Sequence, residues 1–230
     1  MDKHTDREYE SKLVELRRRI QTMAKQVESM LGDSVTALTE RDIELARRTI
    51  MADRLVNVAE LETDELCLVV LAKWQPMASD LRFITLALKM VTDLERIGDL
   101  AVNICERAID LASLPQYRPY EDIPRMGVIA REMVARAIRA FMDGDASEAR
   151  AVIVRDDELD DLYTEVFRDV LEVMAEKPES IQRGIHVQSV AKWLERVGDH
   201  ACNLAEQVIF LVEGNDIRHA GRGGPDIPVS

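Results

Sequence analysis

Two segments of the chain, one hundred residues apart, share the same pattern of acidic residues. Residues 94–109 read LERIGDLAVNICERAI, and residues 194–209 read LERVGDHACNLAEQVI. In each copy a glutamate, an aspartate and an asparagine are spaced by four, which places them on one face of an α-helix. Two carboxylates in neighbouring helical turns repel each other, so their repetition indicates a cation or a cationic partner at this face.

Further acidic residues precede each copy at matched positions. Asp53 and Asn57 in the first half align with Asp156 and Asp160 in the second half at a shift of 103 residues, and each pair is again spaced by four. Glu60 continues the row in the first half only. Because Asn57 supplies an amide where Asp160 supplies a carboxylate, we expect the second site to bind cations more tightly.

The chemistry that these residue types favour is cation binding by oxygen ligands. Carboxylate and amide oxygens bind hard or borderline cations, so the sequence predicts magnesium, manganese or iron in each half. Gly98 and Gly198 lie inside predicted helices, where each glycine costs about 1 kcal/mol relative to alanine. They indicate that a neighbouring helix or a bulky cluster comes close at these points. The predicted ligands are the carboxylates of Glu95, Asp99, Glu195, Asp199, Asp53, Asp156 and Asp160, with the amides of Asn103, Asn203 and Asn57 as additional ligands.

A simpler interpretation of the acidic rows stays open. The acids would then form ordinary solvated helix faces, and Arg96 and Arg196 would be surface partners of little energetic value. The duplication of the carboxylate spacing and of the interior glycine is what gives a cation site equal weight with this alternative.

The elements that must position these residues are helices. Alanine, leucine, glutamate, arginine and methionine dominate, and apolar residues recur three and four apart. Arg41-Asp42 and Asp143-Gly144-Asp145 mark matched reversals, with Asp42 as a predicted N-cap, and prolines follow the second, third and fifth helices. We therefore predict six helices, over about residues 7–39, 42–72, 77–114, 123–142, 145–176 and 179–213.

The repetition of this helical pattern predicts the fold class. It is all-α, with two tandem, pseudo-symmetric three-helix bundles whose helices are joined by short turns and pack antiparallel. The predicted domains are a first bundle over residues 1–114, a linker over 115–121, a second bundle over 122–214 and a C-terminal tail over 215–230. Helices of about 30 residues extend about 45 Å, so we expect an elongated molecule.

Composition and charge exclude several classes of function. The chain has 230 residues, of which 47% are hydrophobic, and a formal net charge of −13. This charge argues against nucleic-acid binding, which depends on clustered lysine and arginine, and suits cations or a basic protein partner. We expect no membrane insertion because no apolar run approaches about 20 residues. The polar first ten residues and three cysteines, which we expect to stay reduced, predict a cytoplasmic protein.

Longer stretches of the chain resemble a known family. The motifs Leu-Glu-Arg-Ile-Gly-Asp and Leu-Glu-Arg-Val-Gly-Asp resemble those of the PhoU family, the accessory regulators of bacterial phosphate-specific transport systems. The segments KWQP at 73–76, ASDLR at 78–82 and GNDIRH at 214–219 are also similar to that family. The resemblance extends over residues 10–219.

The resemblance implies a fold, ligands and partners. PhoU proteins are two similar three-helix bundles, and some hold iron clusters on the carboxylates of motifs that match Glu95, Asp99, Glu195 and Asp199. Iron is therefore the expected metal, with magnesium, manganese or zinc as alternatives. The resemblance further implies a homodimer that acts as a negative regulator of phosphate uptake and of the phosphate-starvation response. It would contact the transporter's ATPase subunit and the phosphate-sensing histidine kinase, and so lie peripherally at the inner face of the membrane.

Two other functions compete with a regulatory adaptor that is not an enzyme. A ferritin-like metal oxidase or metal-storage protein needs Glu-x-x-His on two helices. Arg183, Val197 and Asp216 stand three residues before His186, His200 and His219, which counts against that class. A metal-free helical scaffold is the other alternative.

Overall fold

The structure, a computed structural model, describes residues 3–115 and 122–214, with side chains from residue 7 onward. The described part of the chain is helical and contains no strand. It consists of six α-helices and one short 3₁₀ helix, Pro178–Ser180, which lies between α5 and α6. The α-helices are α1 (Lys3–Glu40), α2 (Ile43–Trp74), α3 (Ala78–Ala112), α4 (Asp122–Asp143), α5 (Ala146–Glu176) and α6 (Ile181–Glu213).

The two tight reversals have the local chemistry that the sequence predicts. The side chain of Asp42 accepts a hydrogen bond of 2.9 Å from the backbone N–H of Leu45. Asp145 caps α5 in the same way. Its side chain accepts hydrogen bonds of 2.9 and 3.0 Å from the backbone N–H groups of Ser147 and Glu148. Each cap satisfies donors that the first helical turn leaves without partners. The residues before the two caps, Arg41 and Gly144, have φ values of 59° and 65°.

The ends of the helices near prolines differ slightly from the predicted bounds. α2 ends at Trp74, and its C-cap residue Gln75 has a left-handed conformation immediately before Pro76. Pro178 does not simply break the chain, because it begins the unpredicted 3₁₀ turn that leads into α6. Pro124 lies within the first turn of α4, where a missing backbone N–H costs little.

The helices pack in the two sets of three that the sequence predicts. α1, α2 and α3 contact one another, as do α4, α5 and α6, and the two sets meet where α1 contacts α4 and α3 contacts α6. The buried side chains form one continuous core, whose largest fully buried members include Leu16, Ile20, Leu94, Ile97 and Met133. The all-α fold is confirmed, and α1, with 38 residues, extends about 57 Å.

The structure tests some of the other sequence predictions but not all of them. All three cysteines are free thiols, as expected. In the part of the chain that the structure describes, none of the helices is long and apolar enough to cross a membrane. Most of the predicted linker and the whole predicted tail, residues 116–121 and 215–230, lie outside the described residues. The division into two domains therefore stays a prediction.

Candidate metal-binding clusters

The interior glycine of each motif faces an aspartate of the neighbouring helix. A Cβ atom built on Gly98 would lie 3.3 Å from Oδ1 of Asp53, and one built on Gly198 would lie 2.6 Å from Oδ1 of Asp156. Both distances are shorter than ordinary van der Waals contact. The two glycines thus admit carboxylates from α2 and α5 to the surfaces of α3 and α6, as the sequence predicts.

The first cluster contains oxygen atoms that lack hydrogen-bond partners. Nδ2 of Asn57 donates a hydrogen bond of 2.8 Å to Oδ2 of Asp53. Oδ1 of Asp53, Oδ1 of Asn57 and Oε2 of Glu95 are buried and accept no hydrogen bond, although Oε2 of Glu95 lies 3.4 Å from Nε of Arg96. A buried acceptor without a donor costs about 1–3 kcal/mol. Three such atoms in one cluster fit a cation ligand set.

Burial, and then charge repulsion, raises the pKa values of Asp53 and Glu95 in this first cluster. Burial raises the pKa of Asp53, the hydrogen bond from Asn57 lowers it, and the charge of Asp99 raises it again. Burial also raises the pKa of Glu95, and Asp99 is the next largest contributor to that increase. Arg96 offsets part of the charge, since its guanidinium lies 3.4 Å from Glu95 and 3.3 Å from Asp99.

The acidic row of the first half extends farther along α2 than the sequence prediction placed it. Burial and the neighbouring Asp64 raise the pKa of Glu60. Burial also raises the pKa of Asp64, whose Oδ1 is buried and accepts no hydrogen bond. Asp64 follows Glu60 by four residues, so its spacing was visible in the sequence, but its partial burial was not.

The second cluster centres on Asp156. Burial raises the pKa of Asp156 to about 6, and the charge of Asp160 adds to that shift. The thiol of Cys202 donates a hydrogen bond to Asp156 and acts in the opposite direction. Asp160, which is exposed, also has a raised pKa, first through burial of part of its carboxylate and then through the charge of Asp199. The structure therefore brings Asp156, Asp160 and Asp199 together as predicted.

Lys192 distinguishes the second cluster from the first. Its Nζ lies 2.7 Å from the carboxylate of Glu195 and 5.3 Å from the centre of the Tyr163 ring. At the matched position of the first half, a hundred residues earlier, stands Thr92. The second cluster thus has a short lysine ion pair where the first has the longer contacts of Arg96, a difference that the sequence interpretation did not consider.

Asn203 lies away from the second cluster. Its amide is 3.4 Å from Asp93 of α3. Asp93 also binds His200 at 2.9 Å and Gln207 at 2.7 Å, so this part of α6 contacts the first half of the chain. Asn203 is therefore placed against α3 rather than against α5, and its predicted role as an additional ligand loses support. Asn103 lies partly buried on α3.

The side-chain positions do not form a finished coordination site. Among the described residues, no group of three or more histidine, cysteine, aspartate or glutamate side chains is arranged to hold a metal ion. The donor chemistry of the clusters nevertheless fits a hard cation, and the oxygens of the first cluster that accept no hydrogen bond also favour cation binding. Cation binding would therefore require carboxylate side chains to rotate, and the metal ligands stay a prediction.

The fold and the clusters together define a class: an internally duplicated helical protein with an acidic cluster beside an interior glycine in each half. Comparison with known families then identifies the chain more closely. The model of the PhoU domain matches residues 20–108 and 123–208. The chain belongs to the PhoU family.

Individual relatives correspond to nearly the whole chain. A phosphate-specific transport system accessory protein PhoU homologue from Pseudomonas putida is 41% identical over 219 residues, which are 95% of this chain and 86% of the relative. The accessory protein PhoU of Escherichia coli K12 is 33% identical over 221 residues, 96% of this chain and 92% of the relative. These names are those of accessory proteins of transport and not of enzymes.

Solved structures of the family have the same fold. The crystal structure of PhoU from Pseudomonas aeruginosa superimposes with a TM-score of 0.87 at 38% identity and covers 90% of this chain and 100% of its own. The phosphate transport system regulatory protein PhoU from Streptococcus pneumoniae gives a TM-score of 0.84 at 26% identity, with 90% and 98% covered.

Proposed function

We propose that this chain acts in phosphate-specific transport as a negative regulator of phosphate uptake and of the phosphate-starvation response. The observation that supports the proposal is correspondence with phosphate-transport accessory proteins over 95% of the chain and 86% of the relative in one case, and 96% and 92% in another. In this role the chain is a cytoplasmic adaptor, held at the inner face of the membrane by its partners. Those partners are the transporter's ATPase subunit and the phosphate-sensing histidine kinase.

The shape and charge of the chain suit an adaptor. Long helices such as α1 and α2, of 38 and 32 residues, offer extended side faces for protein contacts. A net charge of −13 favours basic patches on a partner and speeds encounter with them. Association should therefore weaken as salt concentration rises, since exposed charges are screened within about 8 Å at physiological ionic strength.

We further propose that the two acidic clusters bind cations. Asp53, Glu95 and Asp99, with the amide of Asn57, would be the ligands in the first half. Asp156, Asp160, Glu195 and Asp199 would be those in the second half. Iron is the metal that the family resemblance favours, and magnesium, manganese or zinc are the alternatives. A bound cation supplies positive charge between two helices whose carboxylates otherwise repel.

Gene deletion and complementation test the regulatory role. A deletion strain should express a phosphate-starvation reporter in high phosphate, and the wild-type chain should silence it. A strain that lacks the gene and every paralogue, yet keeps the reporter silent, would contradict the proposal. Purified chain should also capture the transporter ATPase or the kinase at low salt and lose it at high salt.

A separate measurement tests the metal proposal, so that the metal proposal and the regulatory proposal can fail independently. Metal content of protein purified without chelator should exceed background and fall in the Glu195→Ala/Asp199→Ala variant. Asp110→Ala, which removes an exposed acid of α3 outside both clusters, is the matched control and should leave the content unchanged. If the wild type binds no metal but still silences the reporter, the chain is a metal-free helical regulator.

A further inference from the structure

A groove with apolar walls lies between α5 and α6 in the second half of the chain. It has a volume of about 530 Å³. We call it the α5–α6 groove, and its apolar and aromatic lining residues are Tyr163, Phe167, Leu171, Met174, Ile185 and Trp193. Within the described part of the chain, Phe167, Leu171 and Ile185 stay 44%, 49% and 55% exposed. Neighbouring apolar side chains that stay exposed in this way indicate a binding surface.

The groove has the length of a short helix. Phe167 follows Tyr163 by four residues and Met174 follows Phe167 by seven, so the three form one stripe along α5. From Tyr163 to Met174 this stripe extends about 17 Å, or about three helical turns. Gly184 of α6 makes room for Met174, since a Cβ atom there would lie 2.7 Å from Cε of Met174. The flexible methionine lets this end of the groove adapt to a ligand.

The first half folds without such a groove. We compared the positions that match Tyr163, Phe167, Leu171, Ile185 and Trp193, at shifts of 103 residues for α5 and 100 for α6. In the same order they are Glu60, Asp64, Leu68, Thr85 and Asp93. Four of these five side chains are polar, although α2 and α3 pack together as α5 and α6 do. The aromatic and apolar lining of the second half therefore calls for an explanation other than folding.

One polar atom in the wall of the groove accepts no hydrogen bond. Nε2 of Gln188 donates a hydrogen bond of 3.1 Å to the hydroxyl oxygen of Tyr163. Oε1 of Gln188 is buried and has no donor among the described residues. A buried acceptor without a donor is destabilising. The groove therefore favours a ligand that brings an N–H group as well as apolar surface.

The groove ends at the second acidic cluster. Asp160 precedes Phe167 by seven residues, so it lies on the same face of α5. Residues 157–193, which form the groove and its surroundings, include nine acidic and four basic residues. Of the basic ones, Lys192 is already paired with Glu195 at 2.7 Å. This excess of negative charge attracts a cationic ligand.

We propose that the α5–α6 groove binds an amphipathic helix of a partner protein, with apolar side chains in the groove and a lysine or arginine near the second acidic cluster. A helix of this kind binds through residues at i, i+3 or i+4, and i+7, which fit the length of the groove. The same negative charge disfavours an anionic membrane surface. The inference rests on the proposed adaptor role, which requires a partner, and it names the surface that the partner occupies.

The fluorescence of Trp193 measures binding at the groove. The chain has two tryptophans, so Trp74→Phe leaves only the one that lines the groove. The probe is a synthetic peptide of about 14 residues, with leucines at helical spacing on one face and lysines on the other. It should shift the emission saturably, with a micromolar dissociation constant. A peptide with glutamate in place of lysine should bind at least about tenfold more weakly.

The double variant Leu171→Ser/Ile185→Ser tests the location of binding. Both side chains are exposed, so the fold should be kept, and circular dichroism checks this. The variant should bind the lysine peptide at least about tenfold more weakly, because two apolar contacts are lost. Val154→Ser is the matched control, since Val154 is 70% exposed and lies on the opposite side of α5 from Tyr163. It should leave the dissociation constant unchanged.

Several results would overturn the proposal. One is the absence of a saturable shift up to about 1 mM peptide. Others are a double variant that binds as tightly as the control, or a glutamate peptide that binds as tightly as the lysine peptide. Peptide affinity that falls as chain concentration rises would place a second copy in the groove instead. Binding to zwitterionic lipid vesicles that the double variant loses would place a membrane there.

The outcome can be separated from that of the proposed function. A chain that binds the lysine peptide at the groove but fails to silence the phosphate-starvation reporter supports the groove and contradicts only the regulatory role. A chain that silences the reporter but does not bind the peptide contradicts only the groove.

Discussion

The carboxylate of Asp156 occupies the space that a side chain at position 198 would need. A Cβ atom on Gly198 would lie 2.6 Å from Oδ1 of Asp156 and 2.6 Å from Cδ2 of Leu159. The corresponding pair in the first half is looser, since a Cβ on Gly98 would lie 3.3 Å from Oδ1 of Asp53 and 3.4 Å from Val56. The duplicated glycine therefore serves a close helix approach in both halves, but a tighter one in the second.

This difference predicts unequal effects on stability for the same substitution at the two glycines. Gly198→Ala should lower the free energy of unfolding by about 1–3 kcal/mol, because overpacking outweighs the helix propensity gained. Gly98→Ala should change it by less than about 1 kcal/mol, since the gain in propensity offsets a mild contact. Urea denaturation of the two variants and the wild type measures both effects. Equal losses from both substitutions would contradict the difference in packing.

The raised pKa of Asp156 predicts a pH dependence of stability. The pKa is about 6 in the folded protein, against an ordinary value of 3.8 for an aspartate. Protonation is thus more favourable in the folded state, so the protein gains stability on acidification and loses it as pH rises from about 4 through 6. Chelator-treated wild type should be more stable at pH 5 than at pH 7.5, by an amount on the order of 1–2 kcal/mol from this residue.

The variant Asp156→Asn isolates the contribution of that carboxylate. It should be more stable than the wild type at pH 7.5, and its stability should change less between the two pH values. Some dependence should remain, because Asp53, Glu60 and Glu95 also have raised pKa values. If the variant is less stable than the wild type at pH 7.5, repulsion and burial at Asp156 are not the dominant effects there.

The order of cation affinity between the two clusters stays a prediction, and the structure shows features that the sequence did not weigh. From Asn57 alone, the sequence predicts tighter binding in the second half. The first cluster, however, is extended by Glu60 and Asp64. Its Glu95 lies 3.4 Å from Arg96, which is a longer contact than the 2.7 Å between Glu195 and Lys192 in the second cluster. We therefore expect the first cluster to bind divalent cations more tightly, as titration of protein with one cluster disabled would measure.

A reciprocal exchange at the matched positions tests the cause of that order. Lys192→Thr should raise the affinity of the second cluster several-fold, because a competing positive charge is removed. Thr92→Lys should lower the affinity of the first cluster by a similar factor. Manganese titration is suitable for both, since carboxylate oxygens are ligands that it accepts. Affinities that stay unchanged in both variants would show that Lys192 does not control binding.

The helices were predictable from the sequence because the signals for them are local. Asp42 and Asp145 cap helices through bonds to residues two or three positions away, and apolar periodicity marks each buried face. The approach of Asp53 to Gly98 was also predictable, because the duplication repeats both residues at matched positions. The 3₁₀ turn at Pro178 was not, since a proline after a helix is compatible with several connections.

Contacts between residues that are distant in the chain could not be predicted from the sequence. The hydrogen bond from Cys202 to Asp156 and the bonds from α6 to Asp93 depend on how α6 lies against α5 and α3. Spacing within one helix does not contain that information. The apolar residues of α2 were visible in the sequence too, but only the structure shows which of them are left exposed.

Asp93 joins the two halves, and its loss should destabilise the whole fold. Its carboxylate is partly buried and binds His200 at 2.9 Å and Gln207 at 2.7 Å, both on α6. Asp93→Ala would leave those groups without their partner, at a cost of about 1–3 kcal/mol in the free energy of unfolding. Asp110→Ala, on the same helix but at an exposed position, is the matched control and should cost less than about 0.5 kcal/mol.

A double-mutant cycle between Asp93 and Gln207 separates this contact from other effects of truncation. Asp93→Ala, Gln207→Ala and the double variant should show a coupling energy of about 0.5–3 kcal/mol, as expected for residues in one hydrogen-bond network. Urea denaturation of the four proteins at one pH gives the four free energies. Because α3 and α6 belong to different halves, coupling of this size would mean that the hydrogen bond stabilises the contact between them. Additive effects would show instead that the apolar contacts around it hold α3 against α6 without help from Asp93.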